Sequence, residues 1–145
     1  GHMFVELLFN NLVRFIGSDF TPIEASEVTE APIACCVEQD VHGEYAINAY
    51  ISMDKKTAIK FASRYVHEEF QDYDEYVQAS LEDFINLQNG LFIVNISNDS
   101  NTELTLGAPE QKTKSPLSFE NRTLHFPILY TFGNIDFYIE CVKIQ

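Results

Sequence analysis

The chain has 145 residues, of which 46% are hydrophobic and 13% aromatic, so it is long enough to bury the core of one domain. Its 22 acidic residues against 9 basic ones give a net charge of -13 at pH 7. This charge repels nucleic-acid phosphates and anionic lipid surfaces at long range, which argues against both as partners.

No membrane span or signal peptide is recognisable. No apolar run approaches the roughly 20 residues that a spanning helix needs. The first residues also lack a signal-peptide pattern, so we expect a cytoplasmic protein. Gly1 and His2 before Met3 resemble the remnant of an expression tag, which leaves residues 3–145 as a single predicted domain. Met3 is then either the native start or a vector codon that opens an excised fragment.

The first part of the chain predicts a helix followed by a β-hairpin. Residues 3–16 carry apolar side chains at helical spacing, and a glycine follows as a stop signal. Residues 18–30 are polar and acidic and are predicted to be a connection. Residues 31–39 and 44–52 alternate as strands do, and the turn residues 40–43 between them predict a hairpin.

Two helices are predicted next. Residues 54–69 carry an apolar stripe of Ala58, Phe61, Ala62 and Tyr65, and either Ser52 or Asp54 can cap the helix at its start. An acidic linker is predicted over residues 68–74. It leads into a long amphipathic helix that is predicted from residue 72 to about residue 95 or a few residues beyond, where the polar run 97–101 ends it.

The last part of the chain predicts a short strand, a loop and a closing hairpin. Residues 102–106 are the short strand, and residues 107–118, with two prolines, are the loop. Residues 122–131 and 135–144 alternate clearly and predict the two hairpin strands. Pro127 cannot donate a hydrogen bond to a neighbouring strand, so we expect it at a sheet edge or a bulge.

The cysteine and histidine pattern predicts no metal site. Cys35, Cys36 and Cys141 are an odd number and lie in predicted strands, which is typical of buried free thiols. The adjacent pair points to opposite faces of its strand and cannot form a CxxC-type site. The remaining histidines lack the spacing of zinc ligands; they are His42, His67 and His125.

The polar face of the long helix carries an acid and an amide three residues apart, Asp83 and Asn86. Ala79 and Gly90 share roughly the same 60° of the helix, opposite a stripe that we expect to be buried. That stripe consists of Val77, Leu81, Phe84, Gln88 and Leu91. A glycine inside a helix costs about 1 kcal/mol relative to alanine, which indicates a packing or docking reason for Gly90. The alternative is a solvated polar face without a function.

The ordered set of these segments resembles the CheX/CheC chemotaxis phosphatase family, especially its CheX branch. The resemblance covers nearly all of residues 3–145: the first helix, the hairpin ending in residues 43–53, the helix at residues 56–63 and the closing hairpin. The family carries Glu-x-x-Asn followed four residues later by Gly on its long helix. This chain has Asp83-Phe84-Ile85-Asn86 followed by Gly90.

The resemblance implies an α/β (α+β) sandwich of a mainly antiparallel sheet with an N-terminal helix, a second helix and one long motif-bearing helix. It implies hydrolysis of the aspartyl phosphate of a CheY-type receiver domain, with Asn86 orienting the attacking water and Asp83 pairing with a lysine of the receiver. Ala79, Glu82 and Gly90 are then expected in the partner-binding surface. No cofactor is expected on this chain, because Mg²⁺ is held by the phosphorylated receiver, and a homodimer is expected as in CheX proteins.

Two departures from the family leave an alternative open. Asp83 is one methylene shorter than the family's Glu, and a shift to Glu82 fails because Ile85 stands three residues later. A second motif, as in the CheC branch, is absent because Glu6 and Asn10 are four residues apart. The chain is therefore expected to be either a response-regulator phosphatase or a CheX-like binding or dimerisation module without catalysis. Such a module would be either a separate protein or one domain of a longer signalling protein.

Overall fold

The computed structural model describes residues 2–142, which form three helices and eight strands. The helices are α1 (His2–Phe15), α2 (Lys55–Val66) and α3 (Glu75–Ser100). The strands are β1 (Phe20–Pro22), β2 (Ser26–Ala31), β3 (Cys35–Gly43), β4 (Ala46–Met53), β5 (Leu104–Leu106), β6 (Glu110–Lys112), β7 (Leu117–Tyr130) and β8 (Gly133–Val142). The predicted fold class is confirmed: the protein is α+β, with an antiparallel sheet.

The strands form one eight-stranded sheet in the order β1-β7-β8-β4-β3-β5, with β2 also paired to β7 and β6 also paired to β3. Both predicted hairpins are present, β3 with β4 and β7 with β8. The long strands occupy the middle of the sheet, and strands of three to six residues flank them. Short strands of this kind limit further pairing at the sheet edges.

The three helices pack on one face of the sheet, where the main core lies. Strand alternation directs Val37, Ile51 and Phe137 toward the helices, and these three side chains are buried in the main core. Their sequence neighbours Cys36, Tyr50 and Tyr138 point to the other face and form a smaller buried cluster. The helices therefore cover one side of the sheet, and the face of α3 that points away from the sheet is exposed to solvent.

Caps set the ends of α2 and α3. The side chain of Asp54, one of the two predicted caps, accepts a hydrogen bond from the backbone N of Thr57, while Ser52 lies in β4. Asp74 caps the start of α3. Asn101 closes α3 in the left-handed conformation and donates its N–H to Ser97. The polar run at residues 97–101 is thus the last helical turn and its cap. The helix α3 begins three residues later than the predicted start at residue 72, and it continues through most of the run that was predicted to end it.

Two segments predicted as connections contain strands. Residues 18–30 include β1 and most of β2, and residues 107–118 include β6 and the start of β7. These strands are short and polar, so their sequence carries little alternation, and pairing with β7 and β3 stabilises them. The hairpin turn was predicted at residues 40–43, but these residues belong to β3 and the turn lies at residues 44–45. His42 is therefore a strand residue, opposite Thr105 of β5.

Pro127 lies inside β7, between two strands and not at an edge. The pairing partner of β7 changes there from β1 to β2 with a shift of one residue, from Pro22↔Ile128 to Ser26↔His125. The carbonyl of Pro127 accepts a hydrogen bond from the N of Ile23 over 3.0 Å. The proline therefore occupies an interruption of the ladder, which is the bulge alternative of the prediction.

Some predictions fall outside the described residues or at their boundary. Gly1 of the supposed tag and the end of the strand predicted at residues 135–144 are outside them; within them, β8 runs from Gly133 to Val142. Among residues 2–142, no helix is both long and apolar enough to span a bilayer.

Candidate functional site

The outer face of α3, defined here as Ala79, Asp83, Asn86 and Gly90, is turned away from the core. The first three residues are exposed, and Gly90 is partly exposed. The predicted buried stripe is confirmed for Val77, Leu81, Phe84 and Gln88. It is wrong for Leu91, which is 38% exposed, because the sheet side of α3 is instead filled by Ile85, Asn89 and Phe92.

Asp83 is held in place by Tyr65 of α2. The phenol hydroxyl of Tyr65 donates to Oδ2 of Asp83 over 2.5 Å. The Tyr65 ring lies against Phe84 and Phe15, with centroid distances of 5.8 and 5.9 Å. These ring contacts fix the position of the Tyr65 hydroxyl. Burial, followed by the hydrogen bond to Asp83, raises the pKa of Tyr65, which therefore stays a donor at physiological pH. Tyr65 was predicted to be primarily a core residue; it is half-buried, and its hydroxyl has a polar role as well.

Asn86 is held in place by Gln39 of β3. Nε2 of Gln39 donates to Oδ1 of Asn86 over 2.8 Å and to the backbone carbonyl of Gly107 over 2.9 Å. The Nδ2 of Asn89 in turn donates to Oε1 of Gln39 over 2.8 Å. Gln39 and Asn89 are buried at 1% and 0% exposure. The exposed amide of Asn86 is thus hydrogen-bonded to a buried polar network.

Glu82 and Gly90 differ in what surrounds them. Oε2 of Glu82 accepts a hydrogen bond from Nε2 of Gln111 on β6 over 2.6 Å, so this acid is partly buried against the sheet edge. A Cβ built on Gly90 would meet only Cδ1 of Leu106, at 4.0 Å, which is ordinary contact. Packing within the described chain therefore does not require glycine at position 90.

An open groove of about 600 Å³ lies beside Asp83, between the end of α2 and the first half of α3. Its lining is mostly apolar with two acids, namely Tyr65, Val66, Glu68, Phe70, Tyr76, Ala79, Ser80 and Asp83. The 26 residues of α3 contain no lysine or arginine. The groove and the outer face of α3 therefore suit a partner that brings cationic and apolar groups.

The residues considered as metal ligands do not converge. Among residues 2–142, no group of three His, Cys, Asp or Glu side chains could hold a metal ion. His42 and His125 each contact a single carboxylate, of Asp40 at 3.0 Å and of Asp136 at 2.7 Å.

The cysteines were predicted to be buried free thiols. This is confirmed for Cys35 and Cys36 and wrong for Cys141, which is exposed near the end of β8. Burial raises the pKa of Cys36 to about 12 and also raises the pKa of Cys35.

Reasoning from the sequence missed Gln39, Tyr65 and Asn89 as parts of this site. Gln39 carried a usable signal, because strand alternation puts it on the same face as the buried Val37 and Val41. A polar side chain at such a core position requires a buried hydrogen-bond partner. Tyr65 carried no comparable signal, since its position in the apolar stripe of α2 accounts for its ring.

No protein-family model matches the sequence, and no curated protein matches it significantly. Comparison with solved structures does define the fold: it is that of the CheX/CheC-like chemotaxis proteins.

Three solved structures illustrate this likeness. A CheC-like superfamily protein from Shewanella sp. PV-4 is 14% identical, with a TM-score of 0.81 over 97% of this chain and 95% of that chain. The chemotaxis protein CheX from Desulfovibrio desulfuricans is 14% identical, with a TM-score of 0.80 over 96% of each chain. A chain of the CheX–CheY–BeF3–Mg²⁺ complex from Borrelia burgdorferi is 18% identical, with a TM-score of 0.78 over 98% of this chain and 97% of that chain.

Proposed function

We propose that this chain is a CheX-like signalling protein that accelerates hydrolysis of the aspartyl phosphate on a CheY-like receiver domain. The observation that carries the proposal is the pair Asp83 and Asn86, which are exposed about one turn apart on α3. Each accepts a hydrogen bond from another element, Asp83 from Tyr65 of α2 and Asn86 from Gln39 of β3. The fold supports the partner class, because a similar CheX chain is known in complex with CheY.

In this proposal few residues are needed. The receiver supplies the phosphoryl group and its own Mg²⁺, which offsets the developing negative charge, and this chain supplies no metal ligand. Asp83 pairs with a cation of the receiver, and Asn86 enters the receiver's site and orients water. Side chains three apart on a helix have Cβ atoms about 5–6 Å from each other, which fits one anchor and one catalytic group.

The surroundings of the pair support docking of a protein surface. Gly90 has room for a Cβ, so the glycine serves a close approach from outside the described chain. Tyr76, Leu91 and Val94 are 64%, 38% and 52% exposed on the solvent side of the same helix. Apolar and aromatic groups around a polar centre are typical of protein interfaces. We propose that this activity takes place in the cytoplasm, where the chain would encounter receiver domains.

The second candidate is a CheX-like binding or dimerisation module without catalysis. The specific observation in its favour is that Asp83, already one methylene shorter than the family's Glu, is engaged by Tyr65 at 2.5 Å. Such a module would use the same face and groove to bind a receiver or a second copy of the chain. We keep the homodimer as a proposal. Short strands flank β7 and β3 in the sheet, which limits pairing of two copies through these long strands.

The deciding experiment follows phosphate loss from a phosphorylated receiver with wild type, Asn86→Ala and Asn98→Ala. Asn98 is exposed on α3, 12 residues further along, which is about 18 Å at 1.5 Å per residue. We expect acceleration by wild type and Asn98→Ala, and a loss of about 10²-fold in Asn86→Ala.

Stability is measured beside the rate. Asn86→Ala leaves one N–H of the buried Gln39 without its partner, so we expect the free energy of unfolding to fall by about 0.5–1.5 kcal/mol. Equal rates for wild type and Asn86→Ala would refute the phosphatase. Receiver binding without any acceleration, or a dimeric mass by light scattering without receiver binding, would leave the second candidate.

A further inference from the structure

Three side-chain amides and one backbone carbonyl form a continuous chain of hydrogen bonds beneath the outer face of α3. It runs from Asn89 to Gln39 over 2.8 Å, and from Gln39 both to Asn86 over 2.8 Å and to the carbonyl of Gly107 over 2.9 Å. The network joins α3 to β3 and to the loop after β5. Only its last member, Asn86, is exposed.

The carbonyl of Gly107 determines which way each amide faces. A carbonyl oxygen can only accept, so the end of Gln39 that faces Gly107 must be the NH2 group. The second hydrogen of that NH2 group points at Asn86, and an amide nitrogen cannot accept it, so the facing atom of Asn86 must be Oδ1. The NH2 group of Asn86 is thereby turned to the other side of its amide.

Asn89 supports the same assignment from the opposite end. Its Oδ1 is buried and has no hydrogen-bond partner among the described residues, although its Nδ2 contacts Oε1 of Gln39. Turning this amide over would place two oxygens against each other. The unpartnered oxygen is therefore retained because the donor end is needed at Gln39.

We propose that Gln39 is a positioning residue that fixes both the rotamer and the amide orientation of Asn86. The proposal rests on the proposed function, since it assigns a support to the residue that would orient water. With Gln39 in place, Asn86 presents an NH2 donor to the docked receiver, so the group that it meets there is an oxygen acceptor, of water or of the phosphoryl group. One lone pair of Asn86 Oδ1 remains occupied by Gln39.

The local fold explains why this support is rigid. Gln39 lies between Val37 and Val41 on the inward face of β3, where core packing limits its motion. Gly107 comes close to the same strand and donates its N–H to the carbonyl of Asp40 over 2.9 Å. A Cβ on Gly107 would lie 2.2 Å from Oδ1 of Asp40, so the loop after β5 packs directly against β3 at this point.

The first test needs no receiver and no variant. In ¹⁵N-labelled protein, NMR relaxation of side-chain NH2 groups should show Asn86 to be as ordered as the buried Asn89 and more ordered than the exposed Asn98. An Asn86 NH2 group as mobile as that of Asn98 would overturn the proposal, whether or not the protein is a phosphatase.

The second test pairs Gln39→Met with Asn11→Leu. Asn11 is also buried and donates from Nδ2 to Oε1 of Gln88 on α3 over 2.6 Å, so both variants remove an amide bonded to the same helix. We expect both to lower the melting temperature. Only Gln39→Met should release the Asn86 amide in the NMR experiment and lower the saturating rate of phosphate loss, by about 10-fold to 10²-fold, with little change in the receiver dissociation constant.

The outcomes separate this proposal from the proposed function. If wild type binds the receiver but releases no phosphate, the phosphatase fails, and the order of Asn86 in wild type and Gln39→Met alone decides the positioning role. Equal losses of rate in Gln39→Met and Asn11→Leu would mean general destabilisation and refute it. If Gln39→Met does not fold, Gln39→Glu is used instead, because it replaces the NH2 donor by an oxygen in nearly the same shape. Unchanged order of the Asn86 amide and an unchanged rate of phosphate loss in Gln39→Glu would also refute the positioning role.

Discussion

The hydroxyl of Tyr65 donates a hydrogen bond to Asp83 over 2.5 Å, so a side chain of α2 holds the acid of α3 before any partner arrives. This contact orients Asp83, but it also occupies one of its oxygens. In the proposed complex, a receiver cation would share the carboxylate with Tyr65. Aspartate is one methylene shorter than the glutamate of the CheX motif. In the proposed complex, the reach of position 83 would therefore limit how deeply Asn86 enters the partner.

Asp83→Glu should therefore raise phosphatase activity. The longer side chain extends the anchor by roughly 1 Å, and misplacements of about that size can cost 10²-fold in rate, so the gain should lie between several-fold and that limit. Phosphate loss from one phosphorylated receiver is compared for wild type, Asp83→Glu and Asp83→Ala, and we expect weaker receiver binding by Asp83→Ala. An inactive Asp83→Glu protein that still binds the receiver would contradict the prediction.

Gly90→Ala should stabilise the protein and weaken docking. The new methyl group meets only Leu106 at ordinary contact distance, and alanine is favoured over glycine inside a helix by about 1 kcal/mol. Urea unfolding should show a gain of up to that size, while titration with the receiver should show a higher dissociation constant. The control is Asn98→Ala, which alters the same helix without touching the outer face. Unchanged receiver affinity in Gly90→Ala would remove Gly90 from the docking surface.

Acid should weaken the contact between Asp19 and Arg64. The carboxylate of Asp19 contacts the Arg64 guanidinium at 2.6 Å and also accepts from Thr131, which lowers the pKa of Asp19 from 3.8 to about 2. A lowered pKa means that this stabilisation is complete above about pH 4 and is lost as the pH falls toward 2.

The measurement is thermal unfolding of wild type and Asp19→Asn from pH 7 to pH 2. Asp19→Asn should melt lower at neutral pH, and the difference from wild type should shrink below pH 4. Asp72→Asn, which alters an exposed acid in the linker, serves as the control. A difference that stays constant down to pH 2 would show that the ion pair does not stabilise the fold.

Cys141 should be the one fast-reacting thiol among the three. It is exposed, whereas the pKa of the buried Cys36 is raised to about 12, so only about 10⁻⁴ of that thiol is ionised at pH 8. A chromogenic disulfide reagent should label one thiol quickly in the native protein and three after denaturation. Cys141→Ser should remove the fast phase, and a fast phase that persists in this variant would contradict the structure.

Local patterns in the sequence were sufficient for the long elements. The helical spacing in α1 and α2 and the alternation in β4, β7 and β8 are properties of single segments, so periodicity identifies them. The exposed pair on α3 could be predicted for the same reason, because residues three apart on a helix share a face wherever that helix packs.

Tertiary structure decided the features that depend on distant partners. The short strands β1, β2 and β6 exist because β7 and β3 offer them hydrogen bonds, and their own sequences are too brief and polar to show it. Leu91 is exposed because sheet packing rotated the buried face of α3 toward Asn89 and Phe92. The supports of the site come from 18 residues away for Tyr65 and 47 for Gln39. Contacts over such separations follow from how the sheet and helices stack, which no local pattern records.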